Sequence, residues 1–139
     1  MMFPKKVKHR KWQTGRKNSD TFMLPTTRGA TLSFGSFGLK AQGAARVRSN
    51  QIEAARKTLS RALSKTGKVW IRIFPDRPYT QKGAEVGMGK GKGDLQGYQF
   101  EVRPGRILFE VDGVEAAVAK EALRKAGTKL PLKTRIISR

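Results

Sequence analysis

The sequence predicts an α+β fold, a two-layer sandwich in which two helices cover one face of a mainly antiparallel sheet, with a basic extended N-terminal arm. Three observations lead to this class. Segments with strand patterning outnumber the two helical segments, a proline–glycine turn separates two adjacent strand segments, and each helical segment has one apolar stripe. The 139 residues suit one domain over residues 29–139, preceded by the arm over residues 1–28.

The domain opens with a predicted strand and a predicted helix. Residues 31–34 alternate polar and apolar side chains, and the glycines that follow indicate a bulge or a close approach of another backbone. The helix is predicted over residues 50–66, with a capping box from Asn50 to Glu53 at its start and Gly67 at its end. Its apolar face repeats at helical spacing and consists of Ile52, Ala55, Leu59, Ala62 and Leu63.

The middle of the chain begins with a strand over residues 69–74, which is rich in β-branched and aromatic residues. Prolines end this strand and open a long projecting loop over residues 75–97. The strand segments 98–102 and 107–111 flank a proline–glycine turn, and we expect them to pair as a hairpin.

The second helix is predicted to begin at Asp112, where Glu115 completes another capping-box pattern, and to end near Gly127. A final strand over residues 132–137 completes the order of strand, helix, strand, loop, hairpin, helix and strand. The apolar stripe of this helix consists of Val114, Ala117, Val118, Ala122 and Leu123.

The charge of the chain predicts a polyanionic partner. Lys and Arg number 30 against 10 Asp and Glu, a formal net charge of +20 that extends well beyond the arm. Nucleic acid is the main candidate, and an anionic membrane surface is its rival. The first helix has mainly alanine and leucine opposite its basic residues, which suits a core better than a membrane, and no apolar run approaches the ~20 residues that cross a bilayer. We therefore expect a cytoplasmic protein without a membrane partner.

Catalytic and metal-binding patterns are weak throughout the chain. It has no cysteine and one histidine, His9, which lies among cationic neighbours that disfavour a metal ion. The phosphate-loop pattern requires a glycine where this sequence has Ala84 or Val86, and a Ser or Thr where glycines follow the lysines. We expect no enzymatic activity, no cofactor, no metal and no small-molecule substrate.

A glycine–lysine segment, MGKGKG at residues 88–93, lies within the predicted loop. Glycine lets a backbone approach another surface closely, and lysine is a mobile point charge suited to phosphate. An extended backbone would send Lys90 and Lys92 to the same side, because side-chain direction repeats every two residues. The segment fits a loop that reaches a polyanion, and it equally fits a solvated surface loop.

Three groups of basic residues, together with Lys40, are expected to neutralise RNA phosphates. They are the arm, the approach to the first helix, and a row at four-residue spacing on that helix. Trp12 in the arm could stack on a base or a guanidinium, or it could anchor the arm to the domain. The predicted RNA-binding residues are Lys5, Lys6, Lys8, Arg10, Lys11, Arg16, Lys17, Lys40, Arg46, Arg48, Lys57, Arg61 and Lys65.

Four motifs occur in order along the chain: FGSFGLKA at residues 34–41, QIEAAR at 51–56, WIRIFPD at 70–76 and MGKGKG at 88–93. Together they closely resemble the universal L-sixteen family of bacterial large-subunit ribosomal proteins, and the resemblance covers nearly the whole chain.

The resemblance implies a structural constituent of the large ribosomal subunit, bound to 23S ribosomal RNA and to neighbouring ribosomal proteins. It implies that one loop contacts aminoacyl-site tRNA near the peptidyl-transferase centre, with peptidyl-site tRNA as a second candidate. That loop consists of Met88, Gly89, Lys90, Gly91, Lys92 and Gly93. The family usually has an arginine directly before this motif, a site of hydroxylation in some bacteria, whereas this chain has Gly87. A transient ribosome-assembly or RNA-chaperone factor is the alternative function.

Overall fold

The computed structural model describes residues 2–13 and 19–139 of the chain and has the predicted α+β class. In this part of the chain, antiparallel pairing joins the strands into two sheets, ordered β3-β6-β1-β7 and β2-β5-β4, so the expectation of one sheet is wrong. The strands are β1 (Phe37–Ala41), β2 (Ala45–Arg48), β3 (Lys68–Ile71), β4 (Arg77–Gln81), β5 (Asp94–Val102), β6 (Ile107–Asp112) and β7 (Thr134–Ser138). The helices are α1 (Ser19–Met23), α2 (Ser49–Leu63) and α3 (Ala116–Gly127).

The core lies between the two long helices and the four-stranded sheet. Helices α2 and α3 pack against each other, and they contact β1, β3 and β7 of this sheet. Leu39 of β1 and Phe109 of β6 lie opposite each other in the ladder, and both are fully buried in this cluster. The predicted stripe of the first helix is confirmed, since Ile52, Ala55, Leu59 and Leu63 are buried and Ala62 packs against them.

The start of α2 differs from the prediction. The N-cap is Arg48, whose backbone N–H donates to Oε1 of Gln51 at 2.9 Å. Glu53 is unavailable for the predicted box with Asn50, because its carboxylate binds the Arg56 guanidinium one turn along the helix at 2.6 Å. The glutamine therefore performs the role that the sequence suggested for the glutamate.

The start of α3 also differs. The carboxylate of Asp112 accepts from the N–H of Gly113 and the hydroxyl of Ser36, so it does not cap the helix, whose N-cap is Glu115. Of the predicted stripe, Ala122 and Leu123 are buried and Val114 packs against the core. Ala117 and Val118 are exposed instead, Val118 by 42%. The buried residues of α3 are Ala119, Ala122, Leu123 and Ala126.

The predicted hairpin is wrong, although its turn is present. Strand β5 pairs with β2 and β4, whereas β6 pairs with β1 and β3. The turn at Pro104 and Gly105 carries the chain from one sheet to the other, and the N–H of Gly105 donates to the carbonyl of Ala41 at 2.8 Å.

Strand β4 was not predicted because it contains Pro78, and proline is tolerated there because β4 lies at the edge of its sheet. The irregular part of the predicted 75–97 loop is therefore residues 75–76 and 82–93.

The first predicted strand is displaced. Residues 31–34 are irregular because the backbone N–H groups of Ser33, Phe34 and Gly35 donate to the carboxylate of Glu110 on β6 at 3.1, 2.6 and 2.8 Å. The strand begins only at Phe37. The expected close approach of a backbone is confirmed, since a Cβ atom at Gly35 would lie 2.7 Å from the carbonyl oxygen of Val111. This segment covers the face of the four-stranded sheet opposite the helices.

Candidate nucleic-acid interface

The N-terminal arm presents its cations to solvent. Lys5, Lys6, Lys8 and Arg10 are exposed and Lys11 is half-buried. The predicted contacts of Arg16 and Lys17 lie outside the described residues.

Trp12 attaches the arm to the three-stranded sheet. The guanidinium carbon of Arg77 lies 5.6 Å from the centroid of the indole ring, and the carbonyl of Trp12 accepts a hydrogen bond from Nζ of Lys92. Arg77 is buried and pairs with Glu101 at 2.8 Å. Of the two predicted roles, Trp12 therefore performs that of an anchor, and it does so by contacting a guanidinium.

The approach to α2 places two cations on the outer face of the three-stranded sheet. Arg46 and Arg48 are two residues apart on β2, so both point outward and are exposed, whereas Val47 between them is buried in the core. Arg46 lies 3.4 Å from a carboxylate oxygen of Glu101. The guanidinium carbon of Arg48 lies 5.0 Å from the ring centroid of Tyr79 on β4.

The basic row on α2 is shorter than predicted. Lys57 and Arg61 are exposed on the helix, but α2 ends at Leu63, and Lys65 follows the C-cap residue Ser64 in a turn. Lys65 is exposed there without belonging to the helical row. Lys40 is half-buried on β1 and lies apart from this group, with its Cε close to the Pro104–Gly105 turn.

The glycine–lysine loop forms the tip of the β4–β5 hairpin. Gly89, Lys90 and Gly91 have φ values of 96°, 57° and 95°, so three successive residues have the left-handed conformation. The extended geometry that would send both lysines to one side is therefore wrong. Met88 is 99% exposed at this tip.

Two lysines of the hairpin hold the loop in place. Nζ of Lys82 donates to the carbonyls of Gly87 and Gly89, and Nζ of Lys92 donates to Trp12 in the arm. The side chain of Lys90 is exposed in this arrangement. The two lysines of the motif thus have different surroundings, which their alternation in the sequence does not reveal.

Acidic side chains pair with two arginines of low exposure, Arg72 and Arg77. The carboxylate of Glu110 is fully buried and pairs with Arg72. Burial opposes its ionisation, but hydrogen bonds from the backbone of Gly35, Phe34 and Ser33 and from Arg72 outweigh burial and lower the pKa of Glu110 below its ordinary value. Glu110 thus binds Arg72, and Glu101 binds Arg77.

Within residues 2–13 and 19–139, the acids and histidine form no cluster of three that could hold a metal ion, and no helix has the length and apolarity to cross a membrane.

The sequence as a whole matches one protein family. The family model described as ribosomal protein L16p/L10e matches residues 4–137. The chain belongs to this family. It is 53% identical, over 100% of its length and 98% of the relative's, to the large ribosomal subunit protein uL16 of Rhodopseudomonas palustris strain BisB18. It is 52% identical, with the same coverage, to the proteins of that name from Afipia carboxidovorans and Nitrobacter hamburgensis.

Membership confirms the resemblance of the four motifs to the universal L-sixteen family. It makes the chain a ribosomal protein, located with the ribosome in the cytoplasm, with a structural role. The prediction that the chain is not an enzyme is confirmed by the same finding.

Proposed function

We propose that this chain, a structural protein of the large ribosomal subunit, binds 23S ribosomal RNA through its arm, the outer face of its three-stranded sheet and the exposed side of α2. The observation that carries the proposal is that Arg46, Arg48, Lys57 and Arg61 are exposed on adjoining elements, β2 and α2, of a chain with a net charge of +20. Cations so placed neutralise phosphates, and they fix position and affinity more than they read sequence.

The salt dependence of binding tests this proposal. Each phosphate that a side chain neutralises should steepen the log–log dependence of affinity on salt by ~0.7–0.9. We expect the full-length protein to bind deproteinised 23S rRNA with a steep slope, and Lys57→Ala and Arg61→Ala each to reduce that slope by about one such increment. Lys120→Ala on α3 is the matched control, because it also removes one exposed cation but from an element outside the proposed interface. A wild-type slope near zero would refute the electrostatic account.

We also propose that the glycine–lysine loop contacts aminoacyl-site tRNA, with the peptidyl-site tRNA as a second candidate. The support is its place at the tip of a hairpin, its exposed Met88 and Lys90, and the resemblance of the motif to that of the family. Lys90 is the better candidate for the contact, because the ammonium of Lys92 is engaged by the arm.

Large subunits reconstituted with Lys90→Ala test the role of the loop. We expect nearly normal incorporation of the protein and weaker binding of aminoacyl-site tRNA, while Lys82→Ala and Lys92→Ala report on the shape of the loop. Equal losses of incorporation and tRNA binding would identify the loop as an assembly contact. Sedimentation in high salt addresses the alternative function, since a structural constituent remains with the subunit and a transient assembly factor is released.

A further inference from the structure

The outer face of the three-stranded sheet brings together planar side chains from both of its edge strands. In the register of the sheet, Arg48 of β2 lies beside Gln99 of β5, and Tyr79 of β4 lies beside Gly97 of β5. Arg48 and Tyr79 are therefore separated by the middle strand, and they would not meet if that strand carried a large side chain at this point.

Gly97 leaves the space in which they meet. A Cβ atom on Gly97 would lie 3.1 Å from Cε1 and 3.2 Å from the hydroxyl oxygen of Tyr79, so the tyrosine ring lies across the backbone of the middle strand. Arg48 reaches over the same strand from the other edge, with its guanidinium carbon 5.0 Å from the ring centroid. The result is a guanidinium backed by an aromatic ring, which we call the Arg48–Tyr79 platform.

The platform differs from the neighbouring cations in its surroundings. Arg46 and Arg77 both pair with Glu101, whereas the residues that the structure describes contain no ion pair to Arg48. Arg48 is exposed and Tyr79 is half-buried, so the guanidinium is the outer group of the two. Its backbone position is fixed, since Arg48 also caps α2 through Gln51.

Such a group suits the π-face of a nucleobase. Unpaired bases in RNA stack on aromatic rings and on the planes of arginine guanidinium groups, and an aromatic ring behind the guanidinium holds that plane in one orientation. Arg48 directly precedes α2, whose Lys57 and Arg61 our proposed function assigns to phosphates, so a single RNA strand could contact both groups. An acidic segment of a neighbouring protein would need charge complementarity only, and a lysine would serve it as well as a stacked arginine.

We propose that the Arg48–Tyr79 platform binds one unpaired base of ribosomal RNA by stacking. The inference rests on the proposed binding of 23S rRNA and deepens it, because it adds a base contact to the phosphate contacts of that surface. Stacking is tolerant of base identity, so the contact selects an unpaired nucleotide more than a particular base.

The test uses the full-length protein and deproteinised 23S rRNA, with affinity measured over a range of salt concentrations. Tyr79→Leu and Arg48→Lys should each weaken binding by about tenfold with an unchanged salt slope, because both variants keep the charge and lose part of the stack. Tyr79→Phe should bind as the wild type does, because its ring is retained. Lys57→Ala is the control for a lost phosphate contact, since it should reduce the salt slope of binding.

Chemical probing of base reactivity provides the second measurement. One unpaired nucleotide should be protected by the wild type and by Tyr79→Phe, and should become reactive with Tyr79→Leu. Thermal unfolding of each variant checks that the sheet is intact.

If Tyr79→Leu and Arg48→Lys both bind RNA with wild-type affinity and base reactivity does not change, the proposed stacking on the platform is wrong. The proposed function would still stand in that case, provided that the wild-type protein binds RNA with a steep salt slope. Defects seen only in assembled subunits and never on deproteinised RNA would also overturn the proposed stacking, by assigning this face to a neighbouring protein. A flat wild-type slope would instead refute the proposed function itself.

Discussion

Replacing Glu110 with glutamine removes one negative charge from the centre of the four-stranded sheet and keeps the number of heavy atoms the same. The carboxylate is fully buried and accepts hydrogen bonds from the backbone of Ser33, Phe34 and Gly35 as well as from Arg72. A glutamine at this site offers one carbonyl oxygen and presents an amide donor to groups that are themselves donors.

The expected cost follows from this geometry. Breaking a buried charge pair by removing one partner costs about 3–5 kcal/mol, because the other charge remains in a poorly solvated place. The side chain of Arg72 is only 17% exposed, so water would solvate its unpaired charge only weakly. A domain of this size loses about 3–4 °C in melting temperature per kcal/mol, so Glu110→Gln should lower the melting temperature by about 10–20 °C.

The pH dependence provides an independent check of the same reasoning. The pKa of Glu110 is lowered on folding. At a pH between the folded and unfolded pKa values the unfolded chain therefore binds more protons, and the free energy of unfolding rises with pH. The contribution of Glu110 is complete above the ordinary glutamate pKa of about 4.3 and is lost as the pH falls through the lower pKa of the folded state. Glu110→Gln should therefore unfold with a shallower dependence on pH below that value.

Thermal and urea unfolding of the full-length protein, followed by circular dichroism between neutral and acid pH, measures both effects. Glu121→Gln is the matched control, since Glu121 binds Arg124 on an exposed helix surface and its loss should leave the melting temperature nearly unchanged. A Glu110→Gln protein with wild-type stability and wild-type pH dependence would refute the claim that this carboxylate holds residues 33–35 on the sheet.

Two further predictions concern the loop and the arm. Gly93→Ala should destabilise the base of the hairpin by about 1–3 kcal/mol in urea unfolding, because its Cβ would lie 2.6 Å from the backbone carbon of Gln81. Gly87→Ala should be neutral, since no atom lies within 4 Å of a Cβ there, and equal effects of the two would contradict this account. Trp12→Ala should release the arm, lowering stability by about 0.5–1 kcal/mol and speeding tryptic cleavage within the first thirteen residues. Unchanged cleavage would show that other contacts hold the arm.

The features that the sequence predicted correctly are those that depend on local spacing. The stripe of α2 is fixed by the 3.6-residue repeat of a helix. Strand β2, which directs Arg46 and Arg48 outward, was not predicted. The excess of cations indicates a polyanionic partner, and the absence of cysteine excludes thiol chemistry, without knowledge of any tertiary contact. The motif order identified the family.

The sequence predicted the presence of both long helices correctly but not the residues at which they begin. Asn50 and Asp112 both satisfy the spacing of a capping box, yet α2 and α3 begin elsewhere. In each case a side chain of the predicted box binds another group: Glu53 binds Arg56, and Asp112 binds the hydroxyl of Ser36. A capping pattern states which bonds are possible, and competing partners decide which bonds form.

Only the tertiary structure decided which strands pair. The sequence places β5 and β6 on either side of a turn, but pairing depends on which edges are free, and β2 and β4 occupy both edges of β5. Glu110 meets Arg72 and Gly35 across 38 and 75 residues of chain, a distance over which local patterning carries no information. The same holds for Arg48 and Tyr79, whose contact depends on a glycine in the strand between them. Spacing along the chain sets the direction of a side chain, and the fold alone sets what lies in that direction.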